Sequence, residues 1–318
     1  MNWKLISAAV FGVGIAVSVV FVSRTPDAEV AVFAPPQSSS PSVRISEGEV
    51  ASAFATTNRP IAETGNHPRQ HLLEKYNSMR NGRSFVLDSW QHPEIGGRFY
   101  ASTLVDFCAS IATSIDLLDQ AQPRLTQLAS ENHVNAIAAF DLLQAKCAQF
   151  TDDEYRIYSG RGLMGRKDEP DVLMKLVQQF SEARRSGSYD SRLLQTKNIL
   201  DTADPLVISD INLRLSISKD DRGIYIYFDR EKYYVNEDPP ILAAYYLLPC
   251  GLGLACGATD FELALMCVTG SNCYTDRFDR VFKEMAGGDS KRNEEIVSMY
   301  RRILAAVNGR DAAKFVVP

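Results

Sequence analysis

The sequence has little histidine and none of the short motifs that mark common catalytic sites. It contains four histidines in 318 residues, and no GxSxG nucleophile turn, HExxH zinc motif or phosphate-binding P-loop occurs in it. The net charge of −5 gives no reason to expect a nucleic-acid partner, because such partners are usually met by a basic face. The chain therefore carries no signature of a recognisable enzyme class, of a cofactor or of nucleic-acid binding.

The four histidines do not indicate a metal site. His67 and His71 have the i, i+4 spacing of a helical metal pair, but Pro68 stands between them and no glutamate-rich segment follows. His92 lies beside a proline in a predicted turn, and His133 falls in the first turn of a predicted helix. We expect the first pair to belong to a tether or a helix start and the other two to a turn and a surface, and we predict no metal.

One serine–lysine spacing, Ser216-Ile217-Ser218-Lys219, matches the SxxK pattern of penicillin-recognising enzymes. The serine-Asp-Asn and Lys-Thr-Gly motifs that accompany SxxK in those enzymes are missing from the chain. We interpret the spacing as a chance match. The enzymatic alternative is a hydrolase of the cell envelope whose site is assembled from residues distant in sequence.

The longest apolar run lies near the start of the chain, over Leu5–Val22. Its 18 residues carry no charge, which is just enough for a helix that crosses a bilayer. Lys4 ahead of the run favours a cytoplasmic amino terminus and an exported remainder. A cleaved signal peptide is the alternative, but its best candidate site, Ala16-Val17-Ser18, lies inside the apolar run. We predict that residues 1–23 are a single-pass inner-membrane anchor.

The segment after the run, residues 24–67, has the composition of a tether. It contains Pro35-Pro36-Gln37-Ser38-Ser39-Ser40-Pro41 and few aromatic residues. Such a segment buries too little apolar surface to offset the entropy lost on ordering. We predict a disordered linker that holds one helical domain, residues 68–318, in the periplasm; after signal cleavage the domain would instead be periplasmic or secreted.

Apolar residues beyond the linker recur mainly at helical spacing. Arg98–Asp119 and Ser130–Phe150 are predicted as a helical hairpin with a break near Pro123, and Thr151-Asp152-Asp153-Glu154 is a capping box that starts the next helix. The predicted fold class is therefore mainly α, an irregular helical bundle or helical-hairpin array. Further helices are predicted as two short ones within 71–90, then 170–185, 188–200, 204–217 and 290–307.

A β-branched and aromatic segment, Gly223–Phe228, interrupts the helical pattern. Tyr233-Tyr234-Val235 follows after four charged residues, which predicts a small β-hairpin near 224–235, with a helix as the alternative. Tyrosine is favoured at interfaces because it combines apolar area with a polar tip; the alternative is packing within the hairpin and core. The candidate interaction surface consists of Tyr225, Tyr227, Tyr233 and Tyr234.

All six cysteines lie beyond the apolar run. An even count in an exported chain predicts structural disulfides, and no CxxC redox motif, CxxCH haem site or zinc knuckle is present. Cys108 and Cys147 form the natural separate pair because they lie on successive predicted helices. The other four fall within 24 residues: Cys250, Cys256, Cys267 and Cys273.

The last four cysteines allow three connectivities. Their gaps of five, ten and five residues favour the interleaved pairs Cys250–Cys267 and Cys256–Cys273, which would act as two parallel staples. These bridges would clamp the helix before Cys250 to a helix that starts near Asp260, beside the tyrosine-rich segment.

The pattern Leu248-Pro249-Cys250-Gly251-Leu252-Gly253-Leu254-Ala255-Cys256-Gly257, with two later cysteines, resembles uncharacterised helical envelope proteins of proteobacteria. The resemblance covers mainly the last 80 residues and implies a class of protein without a mechanism. With the missing catalytic motifs, it leads us to expect a non-enzymatic interaction or scaffold role with an envelope protein as partner.

Overall fold

The computed structural model describes residues 67–125, 130–147, 149–160, 171–269 and 272–318. These ranges belong to one compact unit, Thr64–Pro318, and are mainly helical, with twelve α-helices and one small sheet. The predicted mainly-α class is therefore confirmed. The predicted anchor, 1–23, and nearly all of the linker, 24–67, lie outside the described residues. Within the described ranges, no helix is both long and apolar enough to cross a bilayer.

Most helix starts in the described ranges are fixed by an oxygen-bearing side chain that accepts hydrogen bonds from the first free backbone N–H groups. The predicted capping box at Thr151 and Glu154 forms. The helices are α1 (His67–Ser78), α2 (Gly82–Ser89), α3 (Gly97–Leu125), α4 (Ser130–Cys147), α5 (Asp152–Tyr158), α6 (Val172–Ser186), α7 (Tyr189–Thr202), α8 (Pro205–Ile211), α9 (Pro240–Gly251), α10 (Phe261–Val268), α11 (Arg277–Arg280) and α12 (Ser290–Asn308).

Helices α3 and α4 form the predicted hairpin, cross-linked by a disulfide between Cys108 and Cys147, whose Cα atoms are 5.2 Å apart. The predicted break at Pro123 is wrong, because α3 continues to Leu125; the proline removes one intrahelical N–H donor, and the helix ends two residues after it. Helix α2 packs close to the end of α4 through Gly82, where an added Cβ atom would collide with the Lys146 carbonyl.

The chain after α8 departs from the predicted helix over 204–217. Helix α8 ends at Ile211 because Asn212 adopts a positive φ of 33°, which few residues tolerate within a helix. A 3₁₀ turn follows, and then strand β1 (Ile217–Asp220). The helical prediction failed here because pairing with the next strand outweighs the local apolar pattern.

The sheet contains β1, β2 (Gly223–Phe228) and β3 (Glu231–Tyr234) in that order, all antiparallel. The predicted hairpin near 224–235 is thus confirmed, with β1 as an additional strand. Ile226 and Phe228 point to one face of β2 and join the main core. The opposite face packs against Val317 in the last residues of the chain.

Candidate functional site

The four tyrosines of the candidate interaction surface lie on the sheet, but they do not form an exposed patch. Tyr225, Tyr227 and Tyr234 are buried, with at most 7% of their surface exposed, and they pack together with Val317. Tyr233 is half-buried against the main core. The prediction of an exposed surface is corrected, because alternation along β2 turns its tyrosines towards a segment that covers that face.

The predicted interleaved disulfides are wrong. Cys250 bonds Cys256 and Cys267 bonds Cys273, each six residues along the chain, with Cα atoms 5.6 and 4.4 Å apart. One bridge closes the turn after α9 and the other closes the end of α10, so neither connects the two helices. Both bonds are local because the chain turns back within six residues at each site.

The two helices of this corner are connected instead by Arg277, a buried residue of α11. Its Nε donates to Asp260 at 2.6 Å, and its Nη1 donates to the Tyr246 carbonyl of α9 at 3.2 Å. Asp260 also caps α10 by accepting from the Glu262 and Leu263 amides. The side chains of Arg277 and Asp260 are only 10% and 2% exposed. This buried charged pair therefore connects α9 to α10, a connection that the sequence analysis had predicted to be made by disulfides.

Lys146, on the last turn of α4, is the most deeply buried cation of the described residues. Only 2% of its surface is exposed, and its Nζ lies 4.1 Å from the centroid of the Phe261 ring. Burial lowers the pKa of Lys146 from 10.5 to about 8, against a smaller opposing effect of Asp260. A neutral amine can act as a nucleophile or base, but this one is closed off from solvent.

Replacing Lys146 with methionine is expected to raise the free energy of unfolding by ~3 kcal/mol at pH 7. The unfolded chain binds its proton near pH 10.5 and the folded chain near pH 8, so the native protein gains stability as pH rises between these values. The advantage of methionine should therefore shrink towards pH 10.5. Urea unfolding across this pH range measures it.

The matched control is Lys175→Met, at an exposed position on α6, which should leave unfolding nearly unchanged at each pH. A difference between the wild-type protein and Lys146→Met that stays constant from pH 7 to pH 10.5 would contradict the burial of a charged amine.

Three buried carboxylates and two histidines of the described residues have structural partners. The buried carboxylates of Asp171, Asp204 and Asp260 each accept hydrogen bonds from the first amides of a helix, and burial raises the pKa of the first two. His71 and His92 lie near surface glutamates. Among the described residues, no cluster of three histidine, cysteine or acidic side chains could hold a metal ion.

The SxxK residues lie in and before β1. The Ser216 hydroxyl is buried and hydrogen-bonded to the Tyr245 hydroxyl at 2.6 Å, while Lys219 is exposed. A serine and a lysine three residues apart share a face of a helix but not of a strand. The strand conformation therefore lacks the shared helical face of an SxxK pair, and the hydrogen bond of the Ser216 hydroxyl goes to Tyr245.

The same residues border an open cleft of about 430 Å³, which we call the basic cleft. It lies between α6, α7, β1 and the last residues of the chain. Three of its lining residues are cationic and none is acidic. Its lining consists of Phe180, Arg184, Arg192, Thr196, Leu215, Ser216, Ile217, Ser218, Lys219, Ile224, Phe315, Val316 and Val317.

The arginines of the basic cleft are held by neutral groups. Arg184 Nη2 donates to the Ile217 carbonyl at 2.9 Å, and Arg192 Nη2 donates to the Val317 carbonyl at 3.1 Å. Both side chains are partly buried. Burial, with the charges of Arg214 and Arg192 nearby, lowers the pKa of Arg184. These contacts orient the two guanidinium groups without neutralising them.

A second cleft, of about 360 Å³, differs from the basic cleft in its charge balance. It is lined by two cations and two anions, Lys197 and Arg310 with Asp190 and Asp311, so its charges balance. In the basic cleft, by comparison, Arg184, Arg192 and Lys219 form no ion pair with any carboxylate of the described residues. The uncompensated positive charge singles out the basic cleft as the candidate binding site.

Sequence reasoning missed Arg184 and Arg192. They are eight residues apart on α6 and α7, on either side of Gly187, which adopts a positive φ of 75° and turns the chain. A signal was present, since neither arginine is flanked by an acidic residue three or four positions away on its C-terminal side. That signal does not reveal that both side chains line one cleft beside β1.

Comparison of the chain with family models, with curated proteins and with solved structures gave no match. The site must therefore be interpreted from its own chemistry.

All six cysteines are in disulfides, which indicates an oxidising compartment outside the cytoplasm.

Proposed function

We propose that this protein is a non-enzymatic binding module of the cell envelope. Residues 5–22 anchor it to the inner membrane as a single-pass helix. The linker 24–67 connects this anchor to the helical domain, which lies in the periplasm. The disulfides, the uncharged apolar run and the resemblance to envelope proteins of proteobacteria support this placement.

The observation that carries the binding role is the basic cleft, with three cations and no acidic lining residue. Guanidinium groups held by backbone carbonyls and lacking a counter-ion are well suited to recognise a partner's carboxylates. We therefore propose that an acidic segment of an envelope protein binds in this cleft. Electrostatic complementarity of this kind favours both rapid encounter and selectivity.

Photocrosslinking in native membranes tests this proposal. A photoreactive residue replaces Ile224, which lines the basic cleft and is 49% exposed. The matched control position is Leu87 on α2, which is 37% exposed and outside the cleft. We expect a covalent adduct of defined mass from position 224 in the full-length chain and none from position 87. No adduct at 224, or the same adducts at both positions, would refute the proposal.

A further inference from the structure

We infer that the basic cleft is a carboxylate-binding site whose ligand carries its carboxylate next to a short apolar group. This inference deepens the proposed function by naming the chemistry recognised in the same cleft. It rests on the arrangement of the charged and apolar lining residues, which together favour a ligand with two properties, a negative charge and an adjacent apolar group.

The first property is a negative charge. Arg184 and Arg192 each use one Nη2 for a backbone carbonyl, while a guanidinium has five N–H donors in a planar fork. Arg192 Nε is buried and has no hydrogen-bond partner among the described residues. Because this Nε is not accessible to solvent, a ligand in the cleft would contact the other N–H groups of the two guanidinium groups, which do not all donate to the carbonyls. A planar carboxylate matches the guanidinium fork and would supply acceptors to both arginines.

The second property is an apolar group beside the charge. The charged groups share the cleft with seven apolar side chains, and one of them, Ile224 near the start of β2, is 49% exposed. A small hydrated anion would leave this surface in contact with water. A ligand that places methylene or methyl groups against it would remove apolar surface from water, which favours binding. The seven side chains are Phe180, Leu215, Ile217, Ile224, Phe315, Val316 and Val317.

The cleft is less suited to an isolated phosphate. Phosphate sites are commonly built from backbone N–H groups at a glycine-rich turn or at a helix start. No glycine lines the basic cleft; α6 contributes Phe180 and Arg184 from its second half, and α7 contributes the side chain of Arg192 from its first turn. Its donors are side chains, which favours the flat geometry of a carboxylate bound by guanidinium groups.

The test is ligand-observed NMR on the purified full-length chain in nanodiscs, with sodium butyrate as the probe. Butyramide presents the same apolar group without charge, and inorganic phosphate presents charge without the apolar group. We expect saturable binding of butyrate, with weaker binding of the other two compounds. Raising the salt concentration should weaken butyrate binding, because the interacting charges are only partly buried.

Three substitutions locate the site. Arg192→Gln should weaken butyrate binding by about tenfold or more, as expected for a lost charge-assisted hydrogen bond. Lys219→Gln, at an exposed position where folding is not at risk, should weaken it about two- to fivefold. Arg185→Gln, next to Arg184 on α6 but outside the lining, should leave binding unchanged.

Butyramide or phosphate binding as tightly as butyrate would overturn the inference, and so would butyrate binding unaffected by Arg192→Gln and Lys219→Gln. This result is distinguishable from failure of the proposed function. Butyrate binding without a membrane adduct at position 224 would retain the carboxylate site and reject the protein partner. A membrane adduct at position 224 without butyrate binding would retain the protein partner and reject the carboxylate site.

Discussion

Replacing Cys108 and Cys147 together with alanine is expected to lower the free energy of unfolding by about 4 kcal/mol. The bond joins residues 39 positions apart, so it restricts a large loop of the unfolded chain. It also fastens α3 to α4 at a point where both cysteines are buried. Equilibrium urea unfolding without reductant measures the change.

The matched control removes Cys250 and Cys256, whose bond spans only six residues. The same loop-entropy relation gives about 2 kcal/mol for this shorter loop. We therefore expect the first double variant to unfold at clearly lower urea than the second. Equal losses, or a larger loss for Cys250→Ala with Cys256→Ala, would contradict the structural importance assigned to the α3–α4 bond.

Asp260→Asn is expected to destabilise the protein by about 3 kcal/mol, because it removes the closer of the two carboxylates paired with the buried guanidinium of Arg277 and leaves only Glu262, at 3.6 Å. Asparagine caps a helix about as well as aspartate, so the cap of α10 should survive and the loss should report on the ion pair. Thermal or urea unfolding at neutral pH gives the value.

Asp289→Asn provides the control for this variant. Asp289 caps α12 by accepting from the Lys291 and Arg292 amides, is exposed and forms no ion pair with a described residue. The substitution should change the free energy of unfolding by less than about 0.5 kcal/mol. Similar effects of the two substitutions would show that capping, rather than the buried charge pair, stabilises the corner.

Local features of this chain were predictable where a short stretch of sequence decides the structure. The capping box at Thr151, the helix start at Asp260 and the hairpin after Gly223 each depend on neighbours in sequence. The Cys108–Cys147 bond could also be predicted, because two long amphipathic segments with a short connection pack as antiparallel neighbours.

Features that depend on tertiary packing could not be predicted. Strand β1 forms because Ile217 pairs with Ile226, and its own sequence does not distinguish it from the end of a helix. The tyrosines are buried because residues near Val317 return to cover the sheet. Spacing suggested interleaved disulfides, whereas Arg277, a residue with no motif around it, connects the two helices of the corner.

The candidate site belongs to this second group. Arg184 and Arg192 each look like an ordinary surface arginine in the sequence, and only the turn at Gly187 and the position of β1 bring them to one cleft. The tyrosine-rich segment was a reasonable prediction for an interaction surface, and one face of its sheet does border the cleft through Ile224. The chemistry at that face comes from the arginines instead.

The central claim is that the positive charge of the basic cleft recognises a partner. It is tested most directly by the yield of the crosslinked adduct at position 224 when Arg192→Glu is added, compared with Arg301→Glu. Arg301 is exposed on α12 and outside the cleft lining. The claim predicts that the adduct disappears with Arg192→Glu and persists with Arg301→Glu. An adduct that persists in both, or is lost equally in both, would contradict it.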